Sequence, residues 1–332
     1  MKKQLFNLGF ILTLSVFVAC DNGDSDSIPA TEDGQTNTAS NPYIVNQGQS
    51  TEGNNINKNA TGIKELDSRF EVPYVTGGAD HYLLIRTVEK YGVNYIIEWD
   101  NQKRSQRWTA YQMYKGNSAK TWNRNSWATS GNYWANYNHN VLHYSSWDPF
   151  QPDPDLPEGV RTELSDYTNA RGYSRGHIVP SADRLNSQAA NEQTFYLSNI
   201  MPQSSRLNTG TWENMEEQVR AWNSDTYRRT LYIVKGGTIG QNQTNGKTES
   251  GLPIPSYFYM AIVSEKDNQY KGIAFIVEHA NPEKNGTSPK NYVFTIDQLE
   301  ELTGIDFFCN LPDNVENEME KTVDDSFWKF IQ

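Results

Sequence analysis

From Tyr82 onward the apolar residues of this chain come in short bursts separated by turn formers, and strand-like and helix-like bursts do not alternate regularly. That pattern constrains the fold most. It rules out a repeating strand–helix–strand architecture and points to an α+β domain with a largely antiparallel sheet flanked by helices. Tyr82-Leu-Leu-Ile-Arg86 and Val93-Asn-Tyr-Ile-Ile-Glu-Trp99 read as strands around a turn at Gly92, and Trp108-Thr-Ala-Tyr-Gln-Met113 as a third. Leu231-Tyr-Ile-Val234 reads as a buried strand ending in a Gly236-Gly237 turn. The stretches 257–264 and 272–278 read as a hairpin across a polar loop. Helical spacing recurs at Trp212, Met215, Val219 and Trp222, with Thr211 placed to cap and Glu213 in the first turn. A second short helix is predicted over Ile296 to Leu302. The polar, aromatic stretch from about 115 to 155 lacks a period and reads as a long surface excursion.

The N-terminus reads as an address. Met1-Lys-Lys is basic and Phe10 to Ala19 is apolar, too short to span a membrane comfortably, so residues 1–20 are predicted to be a signal peptide. Val16-Phe-Val-Ala-Cys20 resembles a bacterial lipobox, with Phe17 where Leu is usual. This implies export, lipidation of Cys20 and anchoring to a bacterial membrane, on the periplasmic face or the cell surface. Residues 21–70 are dominated by Asp, Asn, Ser, Thr, Gly and Gln and read as a disordered polar tether, leaving 71–332 as the folded domain. With Cys20 consumed, Cys309 has no partner for a disulfide and reads as a small buried residue. The formal net charge of −11 argues against a tight nucleic-acid-binding module, which needs a basic surface, but not against an enzyme with a local positive site.

Two segments carry the chemistry: Tyr173-Ser-Arg-Gly-His-Ile-Val-Pro-Ser-Ala-Asp-Arg184, and the run from Leu197 to Arg220. A neutral imidazole such as His177 is the best general base near neutral pH. Arg175, two residues before it, suits bidentate binding of a phosphate. Asn199, Asn208 and Glu216 offer hard oxygen ligands of the kind Mg²⁺ prefers. Glu216 and Arg220 stand at i, i+4 and can pair on a helix. By itself such a set is more often structural than catalytic.

Both segments resemble the DNA/RNA non-specific endonuclease family of the ββα-metal (His-Me finger) fold. The first matches as Ser174-Arg175-Gly176-His177. The second matches as Asn199-x-x-Pro202-Gln203, Asn208-x-Gly210-x-Trp212 and Glu216, with weaker matches across most of residues 80–310. The resemblance implies an endonuclease that hydrolyses DNA and RNA without sequence specificity and leaves 5′-phosphate ends. His177 is then the general base, and Asn208 the direct ligand of a hydrated Mg²⁺, with Mn²⁺ or another divalent cation as the alternative. It places Glu216 beside the metal-bound waters and Arg175 on the phosphate. It gives Asn199 the ordering of the site loop, and leaves Arg220 and Arg206 in support. Ser174 stands where the family has Asp, so the negative charge expected beside Arg175 and His177 is missing.

A different class, a catalytically weakened surface nucleic-acid-binding or adhesion lipoprotein, is favoured by Ser174 and the net acidity. The joint presence of His177, Asn208 and Glu216 weighs against it. The expected partners are DNA and RNA as substrates and a membrane through Cys20; no protein partner is predicted. Arg161, Arg171, Arg184 and Arg206 are equally compatible with a phosphate track and with salt bridges. The aromatic residues from Trp122 to Trp147 suit packing better than stacking on bases. His81, His139, His143 and His279 lack zinc spacing and read as structural.

Overall fold

The computed structural model describes residues 42–123, 149–168, 170, 172–282 and 287–331. The expected signal peptide, Cys20, Arg171, His139, His143 and most of the Trp122–Trp147 stretch lie outside the described residues. No helix among the described residues is long and apolar enough to cross a membrane.

Strands β1 (His81–Val88), β2 (Gly92–Asp100) and β3 (Ser105–Tyr114) form an antiparallel meander, with Gly92 at φ 68° in the first turn. After the two short strands β4 (Tyr173–His177) and β5 (Ile200–Ser204), the sheet resumes with β6 (Thr230–Gly237). A small hairpin, β7 (Thr244–Lys247) and β8 (Pro253–Pro255), precedes β9 (Tyr257–Lys266), β10 (Gln269–Glu278) and β11 (Val293–Phe294). The main sheet has seven strands in the order β1-β2-β3-β6-β9-β10-β11, and every pair in it is antiparallel. The β9–β10 turn closes with Asp267 and Asn268 at φ 53° and 60°, the left-handed pair that a two-residue hairpin demands and that Asp and Asn tolerate best.

Alternation along each strand divides the core in two. Leu84, Ile97, Tyr111, Met113, Ile233 and Met260 face the helix α1 (Trp212–Trp222), whose Trp212, Met215, Val219 and Trp222 are all buried. Leu83, Ile85, Ala110, Val234 and Ala261 face the opposite layer, which includes Leu299 of α2 (Ile296–Thr303) and Met319 of α3 (Asp313–Met319). Both faces being covered, the strands read as nearly continuous apolar runs. Helix α2 starts with a Thr295–Gln298 capping box and stops at Gly304, φ 66°.

Three expectations change. Residues 42–70 are packed against the domain rather than forming part of a tether. Tyr43 and Leu83 exchange backbone hydrogen bonds of 3.0 and 2.9 Å, and Val45 and Leu66 are buried. Asn55 donates to Leu311 O, and Asn59 donates to Pro73 O while accepting from Val75 N. Polar composition concealed this because asparagine amides satisfy the backbone groups that the fold buries here. Second, Gly236 and Gly237 lie inside β6 rather than in a turn: a Cβ at Gly236 would sit 2.5 Å from the Tyr259 hydroxyl. Third, Thr211 does not cap α1; it has helical angles, follows a kink at Gly210 and donates to Pro282 O at 3.3 Å.

On α2, on α3 and at the end of α3, burial pushes Glu300 to about 7, Glu316 to about 8 and Glu320 to about 10; desolvation is the main cause in each, and neighbouring carboxylates add to it. Folded values above the unfolded ones mean stability that is full below about pH 4.5 and lost as pH rises through 7 to 10. We therefore expect the thermal midpoint, measured in EDTA, to fall between pH 5 and pH 9, and Glu320→Gln to flatten that slope. A midpoint independent of pH over this window would contradict it.

Candidate active site

β4 and β5 form a separate antiparallel ribbon in which Arg175 pairs with Pro202, Gly176 with Met201 and His177 with Ile200. Two residues apart on one strand, Arg175 and His177 project to the same face. Gly176 faces the other way, and a Cβ there would meet the side chain of Gln203, which would have to shift to admit it. The turn leaving His177 is stapled by Asn199. Its Oδ1 accepts from Val179 N at 2.9 Å, and its Nδ2 donates to Val179 O and Thr194 O at 3.0 and 2.8 Å. Asn199 is fully buried.

The helix docks onto this ribbon through Trp212, whose indole N–H donates to His177 O at 3.3 Å. Ahead of α1, residues Leu207–Thr211 form a kinked π-type turn, with Gly210 at φ −132° and ψ −106°, across which Trp212 N reaches Leu207 O. Asn208 lies in this turn, ahead of the helix, while Glu216 and Arg220, at i and i+4, share one face of α1.

Under that face lies a network that sequence reading only partly anticipates. Arg220 sits 3.8 Å from Glu216 Oε2, as the i, i+4 spacing suggests, but its closer partner is Asp183 at 3.2 Å. Asp183 also accepts from the Tyr111 hydroxyl at 2.9 Å. Lys235, fully buried on β6, lies 3.9 Å from Glu216 Oε1 and near the rings of Tyr111 and Trp212. Desolvation raises Glu216 to about 7, and Lys235 is the strongest opposing influence; Lys235 is itself lowered by burial. Asp183 stands within the first motif, but nothing local pairs it with Arg220, which lies 37 residues further along the chain. Lys235 gave no signal, since a lysine in a strand normally reads as solvent-facing.

The remaining residues sort clearly. Ser174 lies on the opposite face of β4 from His177, with its hydroxyl 3.2 Å from that of Ser205, so alternation removes it from the base. Arg206 is exposed just before the π-type turn. Arg184 is 1% exposed and donates to backbone carbonyls of Asp183, Asn94 and Gln112; Arg161 is 6% exposed and paired with Glu163. Neither tracks a phosphate backbone. His279 accepts from Ser204 N and contacts Pro255 O, which ties the end of β5 to the sheet, while burial lowers its pKa. His81 contacts Gly77 O at 3.1 Å. Cys309 is buried, and burial raises its thiol well above the usual value.

A ββα unit of this kind, with Arg and His on the ribbon, Asn in the turn ahead of the helix and Glu on the helix, defines a ββα-metal nuclease fold. Residues 85–314 match the family described as DNA/RNA non-specific endonuclease. The chain is 30% identical over 253 residues to a nuclease of Nostoc sp. (strain PCC 7120 / SAG 25.82 / UTEX 2576), covering 74% of this chain and 80% of that one. It is 33% identical over 170 residues to nuclease C1 of Cunninghamella echinulata var. echinulata, covering 49% and 67%. A solved EndoG/EndoGI complex shares the fold, with TM-score 0.53 at 21% identity over 67% of this chain and 85% of that one. The chain belongs to the DNA/RNA non-specific endonuclease family and is an enzyme of that class.

Proposed function

We propose that the protein hydrolyses phosphodiester bonds of DNA and RNA with His177 as general base. The observation that carries this reading is the shared face of Arg175 and His177 on a ribbon docked to the helix that carries Glu216, with Asn208 in the turn ahead of it. Neutral His177 takes the proton of the attacking water, while Arg175 holds the phosphate by charge-assisted hydrogen bonds. The P–O3′ bond breaks and the phosphate stays on the 5′ end. None of these groups reads a base, which supports both nucleic acids as substrates.

The donors on the helix side are oxygens, an amide from Asn208 and a carboxylate from Glu216, and that chemistry fits a hard divalent cation. Asn208 would hold it directly and Glu216 its waters; Mg²⁺ is the ion proposed, with Mn²⁺ or another divalent cation as the alternative. When bound, the ion supplies positive charge to stabilise the departing oxygen. Arg220 and Lys235 keep a negative Glu216 tolerable in its partly buried position, and Asp183 holds Arg220 in place. Export and lipid anchoring through Cys20 belong to the same proposal.

The test is plasmid and RNA cleavage by the full chain, assayed in washed membranes. Both substrates are degraded in Mg²⁺, EDTA abolishes the activity, and Mg²⁺ restores it. Undiminished cleavage in EDTA removes the metal from the proposal, and membrane retention that survives Cys20→Ala removes the anchor.

A further inference from the structure

The segment from about 115 to 155 has no function in the reading above, yet its C-terminal end reaches the catalytic ribbon. Phe150 lies with the Arg175 guanidinium over its ring, 4.0 Å from the centroid. The same ring packs against the imidazole of His177 at 5.3 Å between centroids, tilted by 51°. Phe195 meets both edge-to-face, at 5.1 Å from His177 and 5.2 Å from Phe150. One aromatic ring thus touches both groups assigned to the chemistry.

The chain is held firmly beside that ring. Gln151 N donates to Phe195 O at 3.2 Å and Leu197 N donates to Gln151 O at 2.8 Å, a parallel bridge to the turn that leads into β5. Two residues on, buried Asp153 pairs with Arg86 of β1 and accepts from the Ser198 hydroxyl. Phe150 is therefore fixed to the main sheet and to the ribbon at once, which is what a template for two side chains requires.

We infer that Phe150 is a positioning residue for phosphodiester cleavage, its ring setting the directions of the Arg175 guanidinium and the His177 imidazole. A guanidinium stacked on an aromatic face keeps its N–H groups in the plane of the fork, the plane in which it binds a phosphate. The imidazole, wedged between Phe150 and Phe195, loses freedom to rotate away from the water it deprotonates. The inference rests on the catalytic roles proposed for Arg175 and His177.

The test compares Phe150→Leu with Phe150→Tyr in plasmid cleavage at saturating Mg²⁺, alongside thermal midpoints and a His177→Ala control. Leucine keeps apolar packing but removes the ring, and tyrosine keeps the ring. The expected result is a loss of roughly tenfold in kcat for leucine, with tyrosine close to wild type and both midpoints little changed. Wild-type kcat in Phe150→Leu overturns the inference, and so do equal losses in both variants, since the ring is then not what matters. Should the leucine variant fail to fold, Phe150→Met is read by the same criteria. A wild type that does not cleave, or a His177→Ala variant that cleaves undiminished, instead sinks the catalytic reading itself.

Discussion

Replacing His177 with alanine lowers kcat for plasmid and RNA cleavage by about 10²- to 10⁴-fold, the range that loss of a positioned general base produces. The fold survives the change, because what His177 contributes to architecture is backbone. Its ladder pairing with Ile200 and its carbonyl's bond from Trp212 both persist in alanine. The missing ring leaves a gap between Phe150 and Phe195, whose packing cost is modest at a half-buried position. Circular dichroism and thermal midpoint should therefore stay near wild type while turnover collapses. Turnover within a few-fold of wild type would show that the ribbon carries no base.

Asn199→Ala produces the opposite signature, a large loss of stability from a residue that does no chemistry. The side chain is fully buried and satisfies Val179 N, Val179 O and Thr194 O. Alanine leaves all three without that partner, at a cost of about 1–3 kcal/mol per group and roughly 3–5 kcal/mol in total after relaxation. For a domain of this size that corresponds to a drop of roughly 10 °C in the thermal midpoint. Because the same bonds hold the turn after His177, cleavage should fall even at temperatures where the variant remains folded. Calorimetry checks the first effect; a midpoint within 2 °C of wild type, roughly the shift of 1 kcal/mol, would contradict it.

These two residues illustrate what local sequence reveals. His177 and Arg175 share a face because they are two apart on a strand, and Trp212, Met215, Val219 and Trp222 share one through helical spacing. Such relations involve a few consecutive residues and follow from backbone geometry alone. The asparagine-rich stretch before Leu66 is not legible in this way, since its order comes from Asn55 donating to Leu311 O, Asn59 donating to Pro73 O and the Asn310 side chain accepting from Asn59 N, contacts beyond any local period. Lys235 failed for a related reason: only the packing of α1 over β6 makes that strand position buried and places it beside Glu216.

The sequence by itself therefore determined the helix Trp212–Trp222 and set His177, Arg175, Asn208 and Glu216 in two motifs of fixed spacing, while the pairing of β4 with β5 came only with the structure. The helix rests on short-range periodicity and the motifs on their spacing. Only the tertiary structure decided what supports them. Asp183 holds Arg220, Lys235 faces Glu216, Phe150 touches Arg175 and His177 together, and Ser174 turns away from the site. Most of these contacts join segments distant in sequence, and their energies depend on burial and approach; for Ser174 it is the pairing of the ribbon that fixes its face. Those quantities exist only once the sheet, the ribbon and the helix have packed.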